Sequence, residues 1–180
     1  MIYKTGRKEQ NTMNVEKIYF DMDGVLADFN RGVIELGGTE PRDQAVDDPA
    51  GDNRLWDAVR KVDHFYDRLE ILPGAKEMFQ TLLKKYPGKC EILTGIPKEN
   101  RHIVGAGDDK IAWIRRLFSP DMPVHVVYKE EKQKYCHSSG CILIDDLITN
   151  IEAWRALGGT GILHVSPEDT MRQLKELGVL

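Results

Sequence analysis

One stretch constrains the whole chain: the apolar run Ile18, Tyr19 and Phe20 leads directly into Asp21, Met22, Asp23 and Gly24. A short apolar run that stops at a turn signal reads as a buried strand. Carboxylates at the carboxyl end of such a strand are costly to desolvate unless they are paired, hydrogen-bonded or metal-bound. Asp21 and Asp23 are therefore read as part of a divalent-cation site. Gly24 lets the backbone leave the strand sharply.

Downstream, helical and strand patterns alternate. Residues 29–36 open a helix that Gly37, Gly38 and Pro41 break, and residues 47–52 read as loop. Leu55, Trp56, Val59, Val62, Phe65 and Tyr66 recur at helical spacing and predict a second short amphipathic helix. Leu72 to Ala75 is a turn, and Met78, Phe79, Leu82 and Leu83 mark a helix that stops near Tyr86, Pro87 and Gly88. The run from Cys90 to Thr94 is a second strand, followed by a loop over 95–107 and a helix over about 108–118 with acidic residues at its start. Strands follow over 123–128, 141–146 and 161–165, with Ile148, Ile151, Trp154 and Leu157 on a helix between the last two. The alternation predicts an α/β fold with a parallel five-stranded sheet, right-handed crossovers and a ligand site at the carboxyl ends of the strands. Residues 1–14 show no apolar period and are expected to be a disordered tail.

Every polar group of chemical interest falls at a strand's carboxyl end: Asp21 and Asp23 after the first, Thr94 after the second, Asp145 and Asp146 after the fourth. A chain of 180 residues, 41% hydrophobic and 30% charged, fits one domain with a small insertion. Its net charge of −4 argues against a broad basic face for a nucleic-acid polymer. The odd count of three cysteines, Cys90, Cys136 and Cys141, points to a reducing compartment. No apolar run approaches ~18 residues. A cytoplasmic protein without a membrane span is the expectation. Cys136, His137 and Cys141 lack a second pair at ligand spacing, so no zinc site is read there.

The segment Asp21 to Val25 resembles the first motif of the haloacid dehalogenase (HAD) superfamily of phosphatases, and the longer string DMDGVLADF is similar to that of its 5′(3′)-deoxyribonucleotidases. The order Asp-x-Asp, strand-end Thr, Lys, strand-end Asp-Asp is similar to the four HAD motifs over roughly residues 17–165. The resemblance implies a three-layer HAD-like Rossmannoid core over residues 15–27 and 71–180, with a small helical cap over 28–70. It implies Mg2+ held by Asp21, Asp23, Asp145 and Asp146, Asp23 through its backbone carbonyl and Asp146 preferred to Asp145 as the direct ligand of the pair. Asp21 would be the nucleophile that forms an aspartyl-phosphate, and Asp23 the general acid and base. Thr94, the Gly95 N–H and a lysine would bind phosphate. Lys110 ranks first for that lysine and Lys132 second, ahead of Lys129 and Lys134. Phe29, Trp56, Phe65 and Tyr66 either stack on a base or close the cap's own core.

The resulting expectation is a Mg2+-dependent phosphomonoester hydrolase acting on a small molecule, a deoxyribonucleoside monophosphate. A phosphosugar is the runner-up, and a receiver-like or non-catalytic phosphate-binding module ranks low. Two departures from the resembled nucleotidases matter: the cap is short and glycine-interrupted, and Gly95 stands where they have Ser. Neither a membrane nor a nucleic-acid polymer is expected as partner, and a homodimer is left open.

Overall fold

Alternation along the first strand sorts the core into two faces. The computed structural model describes residues 13–42 and 47–180, so the tail expected over 1–14 lies outside the described residues as far as residue 12. In β1 (Lys17–Phe20), Ile18 and Phe20 enter one apolar cluster and Tyr19 enters the other, as the two-residue period of a strand requires. The same division runs through β2 (Cys90–Gly95) and β4 (Cys141–Asp145), where Ile92, Ile142 and Ile144 share the first face while Leu93 and Leu143 share the second. With β3 (Val124–Val127) and β5 (Thr160–Leu163) they make one parallel sheet in the order β3-β2-β1-β4-β5. The chain runs outward from β1 through β2 to β3, then returns to the other side of β1 at β4. The topological switch point therefore lies between β1 and β4, and Asp21 and Asp145 stand at their carboxyl ends.

Helices cover both faces. On the first lie α3 (Ala75–Lys85), α4 (Ala106–Leu117) and α6 (Pro167–Glu176), which bury Phe79, Trp113 and Leu174 against Phe20 and its neighbours. On the second, α5 (Ile148–Ala156) packs Ile151 and Trp154 against Tyr19 and Leu143. Each sheet face is thereby covered, which is the three-layer arrangement that a fully parallel sheet needs.

Two further helices, α1 (Phe29–Glu35) and α2 (Pro49–Arg60), stand between β1 and α3. The backbone closes beneath them, because Asp28 N–H donates to Glu70 O and Leu72 N–H to Leu26 O, both at 2.9 Å. Val33, Leu55, Val59 and Phe65 from this segment belong to the same apolar cluster as the sheet.

The structure departs from the pattern reading in five places. Helix α2 begins at Pro49, inside the stretch read as loop, because Asp48 accepts from Gly51 N–H and proline suits the first helical turn. It ends at Arg60, so Phe65 and Tyr66 leave the helix for a short 3-10 turn, Tyr66–Arg68. The lysine-rich stretch after β3, read as loop, is a 3-10 segment, Lys129–Tyr135, with the Glu131 carboxylate accepting from Tyr128 N–H. Helix α6 was not foreseen, although Ser166 caps it and Pro167 opens it. Met13, at the edge of the expected tail, packs against the core and Val15 is buried.

Candidate active site

The ends of β1, β2 and β4 deliver their polar residues to one place. Asp21, 6% exposed, is held by its own backbone: its N–H donates to Ile144 O at 2.9 Å and its Oδ1 accepts from Met22 N–H at 2.7 Å. Asp21, Asp145 and Asp146 each offer a carboxylate oxygen within 4.8 Å of the other two, the one group of three metal-ligating side chains found among the described residues. Gly24 makes the approach possible. It sits at φ +72, and a Cβ there would run into the Asp146 carboxylate.

The two adjacent carboxylates of β4 are differently employed. Asp145 is saturated: Oδ1 accepts from Leu147 N–H at 2.9 Å and Asn150 Nδ2 at 3.0 Å, while Oδ2 accepts from Asn150 Nδ2 at 2.9 Å and Lys132 Nζ at 2.7 Å. Burial, with Asp21, Asp145 and Asp23 close by, pushes the Asp146 carboxyl up to about 8. A cluster of hard oxygen donors whose mutual repulsion a bound cation would relieve fits a divalent cation. Asp145 is thus engaged by Lys132, Leu147 and Asn150, and Asp146 makes none of these bonds.

Two fully buried lysines complete the floor. Lys132 Nζ lies 2.7 Å from Asp145 and 3.1 Å from Asp21, and although burial opposes its charge, these carboxylates hold it above the ordinary lysine range. An ammonium has three donors, so one of Lys132 remains for a further acceptor. Lys110, at the start of the second turn of α4, uses all three: Asp23 Oδ2 at 2.6 Å, Thr94 Oγ1 at 3.0 Å and Gly95 O at 2.7 Å. It also lies 4.6 Å from the ring centre of Tyr66, within cation–π range. Asp23 Oδ1 is buried without a partner, and burial raises the Asp23 carboxyl against the pull of Lys110. The Asp23 side chain is engaged with Lys110 and is not part of the carboxylate triad.

Above this floor opens a cavity of about 610 Å³. Asp21, Asp23, Gly95, Lys132 and Asp146 line it. Phe29, Trp56 and Tyr66 also line it, Tyr66 beside Lys110, while Phe65 is not among the lining residues and lies edge-on to Phe29 at 5.6 Å. Thr94 and Lys110 are fully buried beneath the lining. Asn150, His164, Asp52 and Arg101 also line the cavity and went unnoticed in the sequence. Asn150 carried a signal of sorts, since it follows Asp145 into the first turn of the next helix. Arg101 and His164 carried none.

The family model described as 5′ nucleotidase, deoxy (Pyrimidine), cytosolic type C protein matches residues 14–174. A protein of Vibrio phage KVP40 named "Putative 5′(3′)-deoxyribonucleotidase" is 26% identical over 133 residues, covering 74% of this chain and 67% of its own length. Among solved structures, a HAD-superfamily hydrolase from Ehrlichia chaffeensis superposes with TM-score 0.55 at 12% identity, over 92% of this chain and 98% of that one. A hydrolase from Pseudomonas syringae does so with TM-score 0.51 at 15% identity, over 92% and 91%. These two share the fold.

Proposed function

This chain belongs to the 5′ nucleotidase, deoxy (pyrimidine), cytosolic type C family of HAD phosphatases, and from that premise we propose that it hydrolyses deoxyribonucleoside monophosphates through an aspartyl-phosphate on Asp21. The receiver-like and binding-module alternatives give way to the family match. One observation carries the substrate reading. The cavity joins Asp21, Asp23 and Lys132 to the aromatic side chains of Phe29, Trp56 and Tyr66 in one space, and its 610 Å³ far exceeds what inorganic phosphate needs.

In this reading Asp21, Asp146 and the Asp23 backbone carbonyl would hold Mg2+, with Asp145 beside them and tied to Lys132. When bound, the ion neutralises the phosphate dianion so that a carboxylate can approach phosphorus. The chain's own residues do the rest. Gly95 through its N–H and Lys132 through its uncommitted N–H hold the non-bridging oxygens, whereas Thr94, expected there from the sequence, lies beneath the lining and supports the floor through Lys110. An Asp21 oxygen attacks phosphorus as the bond to the leaving oxygen breaks, and the Asp23 carboxyl gives that oxygen its proton. Water then attacks phosphorus, Asp23 takes back a proton, and the Asp21–phosphorus bond breaks to release phosphate. Lys110 serves by fixing Asp23 beside Thr94, and with no donor to spare it ranks below Lys132 for phosphate, the reverse of the order expected from sequence. Residues 28–70 form the cap, a division supported by the backbone closure at Asp28 and Leu72. A cytoplasmic setting belongs to the same reading. It is supported by the cytosolic-type family match and by the free thiols of Cys90, Cys136 and Cys141, and among the described residues no helix is long and apolar enough to cross a membrane.

Phosphate release from deoxyribonucleotides, ribonucleotides and sugar phosphates, each with EDTA or with Mg2+, tests the proposal. Deoxyribonucleotides should be preferred and EDTA should abolish release. A preference for sugar phosphates would overturn the substrate reading. Mg2+ at about a hundred times its Kd should add ~2.7 kcal/mol of stability and raise Tm by roughly 5–10 °C. Asp146→Asn should lose most of that rise, and an unchanged rise in this variant would remove Asp146 from the metal site.

A further inference from the structure

The mechanism leaves Asp52 and Arg101, which line the cavity, without a role. Asp52 and Trp56 sit one turn apart on α2, whereas Arg101 ends a 3-10 turn, Glu99–Arg101, in the loop after β2. Asp52 ties these two parts of the chain together. Its Oδ1 accepts from Trp56 Nε1 at 3.0 Å and Arg42 Nη1 at 2.9 Å, and its Oδ2 accepts from Arg101 Nη2. Arg101 Nη1 donates to Asn53 Oδ1 at 2.8 Å, and its guanidinium carbon lies 6.0 Å from the Trp56 ring centre.

Three features of this arrangement point to recognition. A guanidinium has five N–H donors and no acceptor, so Asp52 and Asn53 fix its plane while three donors stay uncommitted. The donors sit beside an indole that lines the same cavity as Asp21. The backbone is also bent to put them there. His102, the residue after Arg101, has φ 53, in the left-handed region that a side chain other than glycine rarely adopts, and its N–H closes the turn on Glu99 O at 2.9 Å.

We propose that Arg101 is a specificity-determining residue. With Trp56 as a stacking platform, it donates hydrogen bonds to acceptor atoms of the heterocyclic base at the end of the substrate opposite the phosphate, and Asp52 is the residue that positions it. This rests on the nucleotidase reading above. A sugar phosphate without a base leaves both the indole face and the Arg101 donors to water, so the discrimination falls between base-bearing and abasic substrates.

The test compares kcat/KM for thymidine 5′-monophosphate and 2-deoxyribose 5-phosphate in the wild type, Arg101→Met, Arg101→Lys and Asp52→Asn. The wild type should prefer the nucleotide, and Arg101→Met should reduce that preference tenfold or more, chiefly through the nucleotide's KM. Arg101→Lys should not restore it, because the ammonium lacks the planar fork. Asp52→Asn should fall between. An unchanged preference in Arg101→Met, or a loss shared equally by both substrates, overturns the Arg101 assignment and leaves the nucleotidase reading standing. A wild type indifferent between the two substrates overturns both.

Discussion

Asp21→Asn is expected to yield a folded protein without measurable turnover. The side chain keeps its shape, and its remaining oxygen can still accept from Met22 N–H, a bond now made at 2.7 Å. Lys132 keeps Asp145 as a buried counter-ion at 2.7 Å. The change also removes one of the carboxylates that push Asp146 up, so the crowded floor loses repulsion. Tm without metal should therefore hold steady or rise. Activity should not survive, since an amide is no nucleophile toward phosphorus and loss of a covalent nucleophile removes on the order of 10⁴-fold or more in kcat. Retention of more than a few per cent of wild-type kcat in cleanly folded protein would sink the nucleophile assignment.

The second large effect is expected at Lys132. This lysine is 2% exposed and bridges two carboxylates, so Lys132→Met strands Asp21 and Asp145 in the interior together. Breaking a buried pair from one side costs about 3–5 kcal/mol, because the orphaned charge stays desolvated. A marked fall in the metal-free Tm, which Mg2+ partly restores, should accompany a loss of kcat/KM toward every substrate, since all of them present the same phosphoryl oxygens. Lys110→Met provides the contrast. It orphans Asp23 rather than the phosphate, so its activity loss should be largest for nucleotides, whose alkoxide needs a proton, and smallest for p-nitrophenyl phosphate. Equal losses across both substrates in Lys110→Met, with none in Lys132→Met, would exchange the two roles.

The different partners of the two lysines show where sequence reading stops. The α/β alternation, the five parallel strands and the convergence of Asp21, Thr94 and Asp145 at strand ends were legible because strand polarity alone puts such residues on one edge of the sheet. Donor accounting was not. Lys110 and Lys132 are both buried beside carboxylates, and only their partners show that one has three bonds and the other two. The start of α2 was obscured because Pro49 and Gly51 act as breakers in a loop yet are accommodated in the first turn of a capped helix. The aromatic quartet divided by depth, with Phe65 buried beside Phe29, which no spacing along the chain encodes. Asp52 and Arg101 are 49 positions apart and meet only because α2 closes over the loop after β2.

The account turns on a covalent intermediate, and Asp23→Asn is the variant that would hold it long enough to be seen. An asparagine there cannot protonate a leaving group or activate water, but nitrophenolate leaves without a proton. With p-nitrophenyl phosphate, rapid quench should show a nitrophenolate burst of about one equivalent per site followed by slow turnover. Intact-mass analysis of the slow phase should find one added phosphoryl group, on the peptide that contains Asp21. Steady turnover with no burst and no phosphorylated protein would mean that water attacks the phosphate directly, with Asp21 and Asp23 serving only to hold the metal.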